Sequence, residues 1–223
     1  MGSIGPTGIM WSKAFTYRRY VLQLNLRDIP CREKTLMTES AQSLTPLWRQ
    51  LAWWTLVFPL VMLIALVQHN LFLLNWIHVL SGVLWTGSDL FMGFILGPVM
   101  RSLDISARTS VISFLVPRTL LFFPMVSLTT GTAGWFLANW LGFAGADSQQ
   151  HVLVIVSLVM VTIMTIIGLG FLLPNSLRIW FELRQPKPDR ERIVRINRTN
   201  MRLAGTQGVL QVAIILAMAH FVI

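Results

Sequence analysis

The stretch from Leu73 to Met100 reads LLNWIHVLSGVLWTGSDLFMGFILGPVM and is apolar over most of its length. About 20 apolar residues are enough for an α-helix to cross a bilayer, and this run exceeds that length. It nevertheless contains His78 and Asp89, and ionisable side chains at membrane depth are costly unless they face protein or a cavity. The stretch therefore predicts a membrane-spanning helix with a polar site on one face.

Helical geometry places the polar and small residues of this stretch on one stripe. At about 100° per residue, the residues that share this face are His78, Gly82, Trp85 and Asp89. Gly82 has no side chain and leaves room beside the histidine, either for a flat ligand or for a neighbouring backbone. Small residues are common where membrane helices pack, so close packing is one interpretation. A binding site that uses His78, Gly82 and Trp85 is the other.

Composition assigns the chain to the membrane proteins. Hydrophobic residues make up 54% of the 223 residues and charged residues only 12%, whereas soluble domains contain about 25% charged residues. The predicted fold is all-α, a polytopic membrane helix bundle in contact with lipid. Its apolar runs predict about five transmembrane helices, at residues 51–67, 73–100, 117–141, 151–173 and 205–223.

The termini and loops divide the chain by charge. Residues 1–44 are predicted to be a basic cytoplasmic arm. Its first 36 residues are expected to be flexible or to precede a translation start at Met37, and binding to anionic lipid is the alternative. Residues 45–223 are predicted to form the bundle, with a cytoplasmic basic loop at about 175–204. The net charge of +9 is read as an orientation signal, so no nucleic acid is expected as a partner.

The basic residues predict the orientation of the bundle. All 18 Lys and Arg residues lie before residue 50, at 101–118 or at 175–202. By the positive-inside rule these segments are cytoplasmic, and an odd number of spans places the C-terminus outside the cell. We expect a multi-pass protein of a bacterial cytoplasmic membrane.

With this topology every histidine falls on the extracytoplasmic side: His69, His78, His151 and His220. Imidazole is a common ligand of haem iron and of other metals. His78 lies deepest in the apolar layer and is the predicted axial ligand of a haem, or a copper ligand. His151 is the preferred second ligand and His220 the alternative.

A second polar position lies towards the opposite side of the bundle. Asp89 is about 16 Å along the helix from His78, at the depth where Arg118 enters the third predicted span. An unpaired buried charge is very costly, so Asp89 and Arg118 are predicted to form an ion pair. The pair either holds the bundle together or contributes to a proton or quinone-headgroup site.

The string His78-Val-Leu-Ser-Gly82-Val-Leu-Trp85-Thr-Gly87 resembles the pattern His-x3-Gly-x2-Trp-x-Gly. That pattern occurs in a superfamily of small membrane bundles. It includes the copper resistance protein D family, the membrane domain of cytochrome-linked urate oxidases and the HemJ-type protoporphyrinogen oxidases. The resemblance implies a bundle over residues 45–223 in which His78 binds b-type haem. Asp89 and the long basic segment before the last span depart from the pattern.

Two functional hypotheses follow from the residues and the resemblance. The first is a redox protein that binds haem b at its extracytoplasmic side and exchanges electrons with a quinone or an extracytoplasmic carrier. The second is a non-enzymatic copper-handling or accessory protein, because histidine combined with thioethers such as Met62 and Met218 suits copper. Either protein can act as a homo-oligomer. No Walker A or HExxH string is present.

Overall fold

A computed structural model describes residues 46–148 and 151–219 of this chain. Within them the chain forms helices and no β-strand, which confirms the prediction of an all-α bundle. The predictions about the basic arm at 1–44 and about His220 lie outside the described residues.

Five helices follow one short turn at Leu47–Gln50. They are α1 (Trp53–Val67), α2 (Leu71–Ser102), α3 (Ile105–Trp140), α4 (His151–Glu182) and α5 (Arg190–Ala219). Helices α2 to α5 are long and apolar enough to cross a membrane. α1 begins with a 3-10 turn and extends about 22 Å, less than the ~30 Å hydrocarbon layer. The chain is thus a multi-pass membrane protein, with four candidate spans and one shorter apolar helix within residues 46–148 and 151–219.

The polar segments between the predicted spans are largely helical. α3 begins at Ile105, where the Asp104 carboxylate caps the helix by accepting from Ser106 N at 3.0 Å. It then continues for 36 residues, or about 54 Å, through Pro117 and Pro124. The predicted basic loop at about 175–204 is only a short link between Glu182 and Arg190, because α4 and α5 extend beyond their apolar parts.

The polar ends of α3, α4 and α5 are helical because a second apolar core packs them together. We call the end of the bundle with His69, His78 and His151 the histidine end, and the opposite end the basic end. The core at the basic end takes buried side chains from α2, α3, α4 and α5: Met100, Ile112, Val116, Leu120, Ile179 and Ile193. Hydropathy alone cannot identify these extensions, since only one face of each is apolar.

Two π-helical turns interrupt α2 and α4, at Phe91–Leu96 and Gly168–Leu172. A proline follows each turn, in the similar strings GFILGP (93–98) and GFLLP (170–174). Proline lacks the backbone N–H and its ring clashes with the carbonyl four residues earlier, so the preceding turn widens. Both π turns contact α5, while the large side chains of Phe91, Phe94 and Phe171 in these turns are exposed.

α5 crosses α2 at glycines. A Cβ placed on Gly93 would lie only 2.3 Å from the Cα of Gly205, and one on Gly208 would lie 3.0 Å from the backbone N of Leu90. Backbone therefore contacts backbone at this crossing, as small residues permit in membrane helices. The crossing holds the basic part of α5 close to the π turn of α2.

Candidate functional site

The predicted ligand His78 connects α2 to α3. Its Nδ1 lies 2.9 Å from the carbonyl oxygen of Thr130. Since a carbonyl oxygen can only accept a hydrogen bond, the proton of this bond belongs to Nδ1. The ring lies over Gly134, where a Cβ would be 2.7 Å from the His78 Cε1. The imidazole thus occupies the space that a larger residue on α3 would fill, and Nε2 is left as the nitrogen that can accept or bind a metal.

Gly82 packs against α3. A Cβ on Gly82 would lie 3.4 Å from the Cγ2 of Thr130, and the hydroxyls of Thr130 and Ser81 are 2.8 Å apart. The Ser81 hydroxyl also donates to Ile77 O at 2.6 Å. Of the two interpretations of the glycine, the structure shows helix packing at this position.

The other described histidines have different neighbours. His69 adopts φ 48° directly after α1, where its N–H donates to Leu66 O at 3.2 Å, and its ring is 5.2 Å from that of Trp140. This is a helix C-cap geometry, in which a left-handed residue closes the last turn. His151 begins α4, with its Nδ1 3.1 Å from Ala144 O.

A haem with two axial histidines needs both imidazoles to face one space. The described contacts of His78 and His151 are with Thr130 and Ala144, and neither histidine lines the large cavity described below. No group of three or more His, Cys, Asp or Glu residues is assembled within residues 46–148 and 151–219. Haem binding by His78, with His151 or His220 as the second ligand, therefore stays a prediction, and His220 lies outside the described residues.

The methionines of the copper hypothesis belong to the apolar core at the histidine end. Met62 is buried in that core, and Met218 packs against it while partly buried. The same core includes Leu74 and Ile77 on α2, the helix that carries His78. Copper binding by these thioethers likewise stays a prediction.

The predicted ion pair between Asp89 and Arg118 is wrong. Arg118 is exposed on α3, and its guanidinium donates to Phe114 O at 2.6 Å, one turn away on the same outward face. Asp89 is only 1% exposed, and its Oδ2 accepts from Gln211 Nε2 at 3.0 Å. The Trp85 side chain supplies a second hydrogen bond to this carboxyl. Asp89 is thus held by neutral donors from α2 and α5.

The buried face of α5 is rich in amides and small residues, and the sequence analysis assigned it no site. Gln207 and Gln211 are 3% and 4% exposed, and the Oε1 atom of each is buried without a hydrogen-bond partner in the described part of the chain. The signal was present as helical spacing of polar and small residues along one face: Asn197, Asn200, Ala204, Gln207, Gly208 and Gln211.

A cavity of about 380 Å³ lies among α2, α3, α4 and α5. Its walls are mainly apolar, and its lining on α3 extends from Leu115 to Trp135, which corresponds to about 30 Å of helix. α3 and α4 touch only over a short stretch, and three lining residues on these helices are well exposed on the outside of the bundle: Leu128, Trp135 and Leu169. The cavity therefore opens between α3 and α4 at membrane depth.

The cavity becomes polar only towards the basic end. There Asn200 Nδ2 donates to Ser176 Oγ at 3.2 Å, and Asn175 Nδ2 donates to Asn200 Oδ1 at 3.1 Å. Asn197 also lines the cavity, is 5% exposed, and has no side-chain partner among the described residues. A long apolar space thus ends at an amide that is free to bond a ligand.

Comparison with family models, with curated protein sequences and with solved structures finds no match to this chain. The resemblance of the string His78 to Gly87 to the haem-binding bundles therefore stays a prediction. What the chain binds is inferred from its own cavity and side chains.

Proposed function

We propose that this chain is a membrane-embedded binding protein that takes up a lipid-soluble amphiphile from the bilayer. The proposal rests on the cavity of about 380 Å³, which opens between α3 and α4 and ends at Asn197, whose amide has no partner among the described residues. Cavities of this size are typical of small-molecule sites with apolar walls and a few polar groups. An acyl or isoprenoid chain fits the walls, and a polar headgroup fits the amide end.

The hydroxyl groups along the walls support an apolar ligand chain. Thr119 donates to Val116 O at 3.0 Å, Ser127 to Pro124 O at 3.2 Å, and Thr165 to Val161 O at 2.8 Å. These three hydroxyls are thus satisfied by their own helices, as is common for Ser and Thr in helices. They need no hydrogen bond from a ligand, whereas the Asn197 side chain has no partner among the described residues and can bond a headgroup.

Filling the cavity tests this proposal. Ser127→Phe adds a ring to the lining, and Val83→Phe adds the same ring at a position of α2 that is 58% exposed and outside the lining. We expect native mass spectrometry to find a bound amphiphile on the wild type and on Val83→Phe, and severalfold less on Ser127→Phe. Equal amounts on all three proteins, with normal folding, would contradict the cavity as the binding site.

We propose that the basic end lies in the cytoplasm, as the positive-inside rule predicts for its arginines. The link between α4 and α5 then faces the cytoplasm, and the turn after α3 faces outward. A reporter after Pro188 should be cytoplasmic and one after Gly145 extracytoplasmic. The reverse result would require the opposite orientation for the whole bundle.

A redox function with haem on His78 is the second candidate, favoured by one observation. The Nδ1 of His78 donates to a backbone carbonyl, and metal-binding histidines commonly fix their other nitrogen in this way. Such a haem would supply electron transfer, to a quinone or an extracytoplasmic carrier. The wild type should then show a Soret band that is lost in His78→Ala and retained in His69→Ala. A colourless preparation from cells supplied with haem would exclude this candidate.

A further inference from the structure

A second, smaller cavity of about 70 Å³ adjoins the large one at the basic end. Asn197 and Met201 line both spaces, so the two cavities meet at these side chains. The small cavity lies among α2, α3 and α5. Four arginines are among its lining residues: Arg101, Arg108, Arg198 and Arg202.

Glycines and one fixed arginine shape this space. Gly93 and Gly97 line it without side chains, beside the crossing of α2 with α5 at Gly205. Arg108 donates from Nε to Leu103 O at 2.7 Å and from its NH2 to Arg101 O at 2.6 Å. Its guanidinium therefore joins the end of α2 to the start of α3 and is held at the edge of the cavity.

Within residues 46–148 and 151–219, no acidic side chain compensates the positive charge around this cavity. No Asp or Glu is among its lining residues, and within the described chain Arg101, Arg198 and Arg202 have no ion-pair or hydrogen-bond partner for their side chains. The nearby carboxylate of Asp104 accepts from the backbone amides of Ser106 and Ala107. Guanidinium groups remain charged at any physiological pH, so the site favours an anion.

We propose that these arginines bind the phosphate group of a membrane amphiphile whose chain lies in the large cavity. This inference rests on the proposed function and names the ligand class, a phosphate ester with a long apolar chain. A space of about 70 Å³ suits a small headgroup and not a chain. Arginine forms strong, directional hydrogen bonds with phosphate, and the free amide of Asn197 lies where headgroup and chain meet. A neutral headgroup would leave the four charges uncompensated.

The test compares two double variants that each remove two positive charges. All four arginines are exposed; Arg101→Gln with Arg198→Gln removes charges that line the small cavity, whereas Arg118→Gln with Arg195→Gln removes charges that line neither cavity. The probes are dioleoyl phosphatidic acid, dioleoylglycerol and inorganic phosphate. Their binding to the full-length protein is measured by native mass spectrometry in a neutral detergent.

We expect the cavity variant to bind dioleoyl phosphatidic acid about 25-fold more weakly than the wild type, at roughly fivefold for each arginine. The control variant should differ from the wild type by less than about threefold, since dispersed surface charges contribute little. Binding of dioleoylglycerol, which has the chains without the phosphate, should be weak and equal in all three proteins.

Four outcomes would overturn the inference. Equal losses in the two double variants would show that surface charge alone attracts the lipid. Binding of inorganic phosphate as tight as that of the lipid would identify free phosphate as the ligand. Retention of dioleoylglycerol that is sensitive to Ser127→Phe, without an arginine effect, would keep the proposed function and remove the phosphate site. Absence of any amphiphile that depends on Ser127 would remove both.

Discussion

The two ends of the bundle differ in how their polar side chains are used. At the histidine end, His78 covers Gly134 and donates to Thr130 O, so polar groups bond across closely packed helices. At the basic end, Asn197 and three arginines border cavities without side-chain partners in the part of the chain that the structure describes. Residue types that suggest a ligand can therefore serve packing, and the space for a ligand can lie where the sequence reads as a polar loop.

Backbone geometry accounts for much of this difference. Near His78, α2 and α3 are regular helices, and Gly82 and Gly134 allow them to approach closely. Towards the basic end, α2 and α4 each contain a π turn before a proline, and both turns border α5. Met92 in the first π turn and Gly168 in the second line the large cavity. The wider turns thus coincide with the place where the helices separate.

The largest effect of a substitution on the free energy of unfolding is expected at the crossing of α2 with α5. In Gly93→Ala the new Cβ would meet the Cα of Gly205 at 2.3 Å, and neither backbone can rotate away as a side chain can. We expect a loss of about 3 kcal/mol in the free energy of unfolding, at the upper end for an overpacked site. The matched control is Gly87→Ala on the same helix, where nothing lies within 4 Å of the new Cβ.

Thermal unfolding in detergent, followed by tryptophan fluorescence, measures this difference. Gly87→Ala should leave the midpoint unchanged or raise it slightly, because alanine favours helix over glycine. Equal midpoints for the two variants would mean that α2 and α5 are not in backbone contact, and the shape of the small cavity would then be incorrect.

A medium effect is expected at the buried carboxyl between the two ends. Gln211→Leu removes the amide that donates to Asp89 at 3.0 Å and leaves a buried acceptor with one donor fewer, which costs about 1–3 kcal/mol. Arg118→Gln removes an exposed side chain and should stay within about 0.5 kcal/mol of the wild type. Urea or thermal unfolding distinguishes the two, and a larger loss for Arg118→Gln would restore the rejected ion pair.

The smallest effect is expected at the histidine end. Gly134→Ala would place a Cβ 2.7 Å from the His78 Cε1, but an imidazole ring can move where a backbone cannot, so we expect a loss of about 1 kcal/mol. In Gly131→Ala the nearest atom, Val161 Cγ1, is 3.8 Å away, and the variant should unfold like the wild type. If Gly134→Ala lowered the free energy of unfolding as much as Gly93→Ala does, the packing around His78 would be as rigid as the backbone contact at the crossing of α2 with α5.

The sequence was sufficient for the fold class and for the polar stripe on α2. Composition and apolar runs indicated a helical membrane bundle, and the 3.6-residue period placed His78, Trp85 and Asp89 on one side of α2. The hydrogen-bond partners of these residues could not be predicted from the sequence, since Gln211 lies 122 residues beyond Asp89. Which of two candidate partners faces a buried carboxyl depends on helix rotation, which a single sequence does not specify.

The cavities were also beyond sequence reasoning, for two physical reasons. A cavity is a property of the separation between helices, and here that separation accompanies π turns that hydropathy does not detect. The polar extensions of α3, α4 and α5 appeared as loops because their second core uses one apolar face on each helix. Proline after a glycine-rich apolar run, as in GFILGP and GFLLP, was the available signal for the wider turns.

In the proposed function, the chain of an amphiphile occupies the space between α3 and α4. The most direct measurement is photo-crosslinking in lipid nanodiscs with a phosphatidic acid that carries a diazirine in the middle of its acyl chain. We expect saturable adducts on cavity-lining residues such as Leu120 and Thr132, and non-saturable background labelling at exposed positions such as Val79 and Val83. Labelling that is equal and non-saturable at all four positions would show that the protein meets this lipid only as bulk bilayer, and would contradict the claim.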